Sequence, residues 1–176
     1  MIFEEGFVHA DMHPGNVFLR AGGELVVLDA GLVAVLSAKD QRDFVDFFFG
    51  LANDEGDECA RIVWDTALGR PDDDPTAWPR FRQAMVELVS RYAHLASKDF
   101  EIARFVYDLI ELQRRFHIRG STAFIMTVLS MVVYDGICKA LYPECDFQKE
   151  ARGYLIHARY RLTGNEVGGR VNPNFG

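Results

Sequence analysis

His9-Ala10-Asp11-Met12-His13-Pro14-Gly15-Asn16 is followed, thirteen residues after Asn16, by Asp29-Ala30-Gly31. Asp11 and Asn16 stand five positions apart, the spacing of a kinase-type catalytic loop. In such a loop the Asp takes the substrate proton and the Asn holds Mg²⁺. Asp29 then stands where that kind of fold places its second metal ligand, at the head of an Asp-Phe-Gly-like triplet with Ala30 in place of Phe. The pattern points to phosphoryl transfer or nucleotide binding.

The residues between these groups supply a geometric reason. Val17-Phe18-Leu19-Arg20 and Glu24-Leu25-Val26-Val27-Leu28 are short β-forming runs, and Ala21-Gly22-Gly23 reads as the loop of a hairpin. A hairpin brings its open ends together, here Asn16 and Asp29. An amide oxygen and a carboxylate suit Mg²⁺, which keeps phosphate and water in the rest of its shell. Pro14-Gly15 is a turn pair that folds the loop back toward the first strand.

The His9–Asn16 segment resembles the H-x-D-x-H-P-G-N loop of the UbiB (AarF) family of atypical, protein-kinase-like proteins. Val26 to Ser37 resembles that family's metal-binding segment and the start of its next helix. The strong resemblance covers residues 3–51. It implies Mg²⁺ and ATP as cofactors, with Asp11 as the catalytic-loop Asp and Asn16 and Asp29 as the nucleotide-binding metal ligands. It makes His9 a scaffold residue tying the loop to the metal segment. It also implies a link to ubiquinone and other quinone-lipid metabolism, with lipid-pathway proteins or a membrane surface as partners besides the nucleotide. The family's Lys-x-Gly-Gln segment, Ala-rich nucleotide loop and N-lobe Lys–Glu pair all precede the catalytic loop, and only eight residues precede His9 here. The expectation is a kinase-like C-lobe without its N-lobe, binding ATP weakly or not at all by itself, and whether it acts as an enzyme is left open.

The expected fold is mainly α with a short β-hairpin: a kinase-like C-lobe over residues 1–162, with the catalytic and metal segments at 9–31, a helical body at 37–162 and a loose tail at 163–176. Ser37 with Asp40 resembles a helix-capping box, and Phe44, Phe47, Phe48 and Leu51 recur at helical spacing, as a core stripe does. Further helices are expected near 58–68, 80–97, 100–116, 122–141 and 148–162, with a Pro- and Asp-rich loop at 69–79. Asp72-Asp73-Asp74 reads as a solvated loop, since no spaced Ca²⁺-ligand pattern surrounds it.

Net charge −7 and the absence of a basic run argue against a nucleic-acid partner. Cys59, Cys138 and Cys145, odd in number and widely spaced, read as reduced thiols. The longest uncharged stretch, 120–134, falls short of the ~18 apolar residues of a membrane span, so a buried core helix is expected and no transmembrane helix. The expected location is cytoplasmic, with peripheral membrane contact left open.

Three other readings come from the same residues. A non-catalytic kinase-like module would keep the surface for a partner. A small-molecule phosphotransferase of the aminoglycoside or choline type would also use H-x-D-x-x-x-x-N followed by an Asp. A zinc hydrolase would take His9, Asp11 and His13 from one face of an extended segment, although Pro14-Gly15 breaks that segment.

Overall fold

The computed structural model describes residues 2–29, 31–95, 99–141 and 147–164. It is mostly helical, with small antiparallel strand pairs at its head. Helix α1 (Ile2–Glu5) leads into β1 (Phe7–His9) through Gly6, whose φ of +66° is a left-handed conformation that glycine adopts without cost. A 3-10 turn (Pro14–Asn16), β2 (Val17–Leu19), β3 (Leu25–Val27) and β4 (Val33–Val35) complete the head.

Strands β2 and β3 form the expected hairpin, with Val17 opposite Val27 and Leu19 opposite Leu25. Gly23 N donates to Arg20 O at 2.9 Å, and Gly23 takes φ +84°, so the turn needs a glycine there. A second pair was not expected. Val33-Ala34-Val35 pairs with β1, Phe7 lying opposite Val35 and His9 opposite Val33. Local pattern did not reveal this strand because its partner lies at the other end of the catalytic segment.

The body consists of α2 (Ala38–Ala52), α3 (Gly56–Asp65), α4 (Ala77–Ala93), α5 (Ile102–Arg115), α6 (Thr122–Leu141) and α7 (Phe147–Gly164). Ser37 caps α2: its hydroxyl accepts from Asp40 N at 3.1 Å and donates to Asp40 Oδ2 at 2.6 Å. The Asp thus returns to the cap side chain, where a Glu in a full capping box would reach the cap backbone. Helix α4 starts earlier than the expected 80, with Pro79 inside its first turn, where no N–H is needed. Helix α3 starts at Gly56, where α4 lies so close that a Cβ would stand 2.6 Å from Val86 Cα.

The core stripe of α2 behaves as its periodicity requires. Phe44, Phe47, Phe48 and Leu51 are all buried. Phe47 meets Phe124 of α6 edge-on at 5.1 Å and Phe105 of α5 at 6.1 Å, so one residue ties three helices together. Neither Cys59 nor Cys138 forms a disulfide among the described residues, and Cys145 lies outside them, as does the expected tail from residue 165 onward.

Helix α6 departs from the expectation of a short apolar stretch. Thr122–Ala140, 19 residues, is long and apolar enough by length and composition to cross a membrane. The uncharged stretch ends at Tyr134, but the helix continues, and Asp135 and Lys139 form an i,i+4 ion pair at 2.8 Å on it. The helix also packs into the bundle through Phe124, Val128 and Met131, as the core helix of a bundle does.

Candidate active site

The candidate site lies where the two strand pairs meet. The hairpin register continues one step past β3: Leu28 N donates to Asn16 O at 2.9 Å. Asn16 and Asp29 therefore flank the open end of one hairpin. The other pair continues likewise, with Ala10 N donating to Leu32 O at 2.9 Å, which draws the Asp11 loop toward the segment after Asp29.

His9 joins these two segments. Its ring is buried, with 2% exposure. His9 Nδ1 accepts from Asp11 N at 3.3 Å, and His9 Nε2–H donates to Asp29 O in a short contact. Both ring nitrogens are thus used by the Nε2–H tautomer, one toward Asp11 and one toward Asp29. A ring so engaged has no lone pair left for a metal. His13 is local: its Nδ1 accepts from Gly15 N at 3.1 Å and caps the 3-10 turn. Among the described residues no cluster of three or more His, Cys, Asp or Glu could hold a metal ion, which leaves the zinc arrangement short of the three protein ligands it needs.

Asp11, Asn16 and Asp29 are accessible, as groups that meet a ligand must be. Asn16 Nδ2 donates to Asp11 O at 3.4 Å, which leaves the amide oxygen without a partner among the described residues. Asp29 Oδ1 accepts from Gly31 N at 2.7 Å, fixing the carboxylate and leaving Oδ2 free in the same sense. The Asp11 carboxylate also has no partner among the described residues. The donor set is two hard oxygens plus a separate carboxylate. That is too few for an all-protein cage and fits Mg²⁺ shared with phosphate and water.

One residue at the site carries no local sequence signal. The hydroxyl of Tyr134, on α6, donates to His9 O at 2.7 Å and accepts from His9 N at 3.1 Å. Bonds at Gly6–Leu36 and Ala10–Leu32 set the parity of the β1–β4 ladder, so the backbone groups of His9 point away from β4. Tyr134 takes the place of a further strand at that edge. Burial pushes its hydroxyl above the ordinary tyrosine range, so it remains a donor at neutral pH.

Comparison with known proteins supplies the class, which is atypical kinase-like. Residues 1–63 match the ABC1 atypical kinase-like domain, and residues 85–146 match the UbiB helical domain. The chain belongs to the UbiB/AarF family. It is 23% identical to a "Probable protein kinase UbiB" of Aeromonas hydrophila over 93% of this chain and 30% of that protein. It is 25% identical to proteins of the same name from Shewanella halifaxensis, over 94% of this chain and 30% of that protein, and from Shewanella woodyi, over 88% and 28%. The chain thus spans under a third of the length of these relatives. No solved structure matches. Tyr134 belongs to the stretch matching the helical domain and His9 to the kinase-like stretch, so their contact joins the two.

Proposed function

We propose that residues 1–162 form the C-lobe part of a UbiB-type kinase or ATPase site that works on Mg-ATP. The observation that carries this reading is the hairpin register, which puts Asn16 and Asp29 at one open end with an unused oxygen on each. Those two oxygens would hold Mg²⁺, which when bound would neutralise charge on the phosphate oxygens. Asp11 orients the acceptor hydroxyl or water and takes its proton. His9 keeps the two segments in register while that happens. Alignment and fixed electrostatics supply most of the acceleration in this chemistry. The family resemblance adds a role in ubiquinone or related quinone-lipid metabolism, in the cytoplasm or at a membrane surface.

The test is metal placement. Mn²⁺ titrated into the isotopically labelled chain with ATP should broaden the Asn16 side-chain amide and the Gly31 backbone amide before other signals. Asp29→Ala should abolish that broadening, whereas Asp11→Ala should retain most of it. Equal loss in both variants, or broadening centred on the Asp72-Asp73-Asp74 loop, would refute the assignment.

A further inference from the structure

The corner between α5 and α6 concentrates cations in a chain whose formal net charge is −7. Residues 113–120 read Gln-Arg-Arg-Phe-His-Ile-Arg-Gly. Helix α5 ends there in a Schellman turn: His117 takes φ 55°, Ile118 N donates to Gln113 O at 2.9 Å, and His117 N donates to Arg114 O at 3.1 Å. The next residue is held from the other side. Arg119 N donates to Gly69 O and Leu68 N donates to Arg119 O, both at 2.8 Å.

This double anchoring frames a cleft of about 770 Å³. Arg70, Arg114 and Arg119 line it, with Ile110, Ile118 and Ile125 providing apolar wall, and no carboxylate lies among its lining residues. Arg114 is already paired with Glu111 at 2.8 Å and Arg70 with Asp72 at 2.7 Å. Arg119 has no carboxylate partner among the described residues, so it carries the unneutralised charge. Helix α6 begins beside it at Thr122, so the positive end of a 20-residue helix points to the same corner. Gln113 is a second, independent sign of a ligand. It lines the cleft at 6% exposure, and its side-chain amide has no hydrogen-bond partner among the described residues. A bound polar group would complete the hydrogen bonding of that amide. Gly120 keeps that amide accessible, since a Cβ there would stand 3.2 Å from Gln113 Oε1.

We propose that this cleft binds a phosphate ester with an apolar body: Arg119 and the start of α6 take the phosphate, Gln113 supplies the amide contact, and the isoleucines take the body. A guanidinium fork matches phosphate oxygens, and an isoleucine wall would leave inorganic phosphate without half of its contacts. The cleft is separate from the candidate active site. Ile125 and Tyr134 lie nine residues apart on α6, on the order of 14 Å along the helix axis.

The probes are phenyl phosphate, inorganic phosphate and phenol, titrated into the labelled 176-residue chain and followed by amide chemical shifts. Phenyl phosphate should shift the Gln113 side-chain amide and Gly120 amide, at least fivefold more tightly than inorganic phosphate and in competition with salt. Arg119→Gln should weaken it at least fivefold with an unchanged melting temperature, and Gln113→Leu should weaken it independently. Vesicles of phosphatidylcholine with and without phosphatidate distinguish the sources of the ester: Arg119-dependent sedimentation with phosphatidate assigns a lipid headgroup, and binding of phenyl phosphate without sedimentation assigns a soluble ester. Shifts spread over all surface arginines, affinity equal to that for inorganic phosphate, or binding unaffected by Arg119→Gln would overturn the proposal.

Discussion

Replacing Tyr134 by Phe removes a single oxygen from the molecule and breaks the link between α6 and His9 at the end of β1. The ring still fills its space, so no cavity term enters. The loss falls on His9, whose backbone N–H and C=O both use that hydroxyl and are turned away from β4 by the strand parity. With His9 buried, both groups are left without a partner. Each orphaned buried group costs about 1–3 kcal/mol, and partial water entry relieves some of it. The expected destabilisation is therefore about 2–4 kcal/mol in urea denaturation at constant m-value. Hydrogen exchange should show where the loss falls: the amides of residues 9–11 should lose protection while those of the α3–α4 contact retain theirs. Destabilisation below about 0.5 kcal/mol, the usual size of a surface change, with unchanged exchange at His9, would refute the reading of Tyr134 as the clasp.

Gly56→Ala should destabilise by about 1–3 kcal/mol, since its Cβ would meet the Val86 backbone at 2.6 Å and no side-chain rotation can relieve that; calorimetry of the pure variant checks it. His117→Gly should stabilise by roughly 1 kcal/mol in the same measurement, because a non-glycine residue holds the left-handed position that ends α5. Cys59 is fully buried, and burial pushes its thiol from 9.0 up to about 12, so a thiol reagent at pH 8 should label it only at the rate of unfolding. Burial, with the Asp108 carboxylate beside it, likewise pushes the Tyr92 hydroxyl from 10.0 up to about 12. Both folded values lie above the unfolded ones, so the stability these groups contribute is complete below pH 9 and is lost as pH rises toward 12, which a series of denaturation curves across that range would follow.

The chain's own order determined much of the head and body. Short runs of β-formers on either side of Ala21-Gly22-Gly23 specify a hairpin because the contacts it closes are only a few residues apart. That alone brings Asn16 and Asp29 to one end. The phenylalanines of α2 and the capping pair Ser37–Asp40 were legible for the same reason: period and cap are properties of a single helix. The role of His9 was anticipated from the family resemblance, and the structure supplies the two ring contacts that perform it.

Tertiary structure alone decided the rest. The β1–β4 pairing joins strands separated by the whole catalytic segment, and three-residue strands carry too little pattern to announce a partner. Tyr134 lies 125 residues from His9, and nothing in its surroundings distinguishes a tyrosine that packs from one that holds a strand edge. The cation cleft joins Arg70 to the end of α5 through the bridge between Gly69 and Arg119. In each case a backbone group or a charge finds its partner only after the chain has closed a long loop. Local periodicity records which face of an element is apolar, not which distant group will satisfy its polar edge.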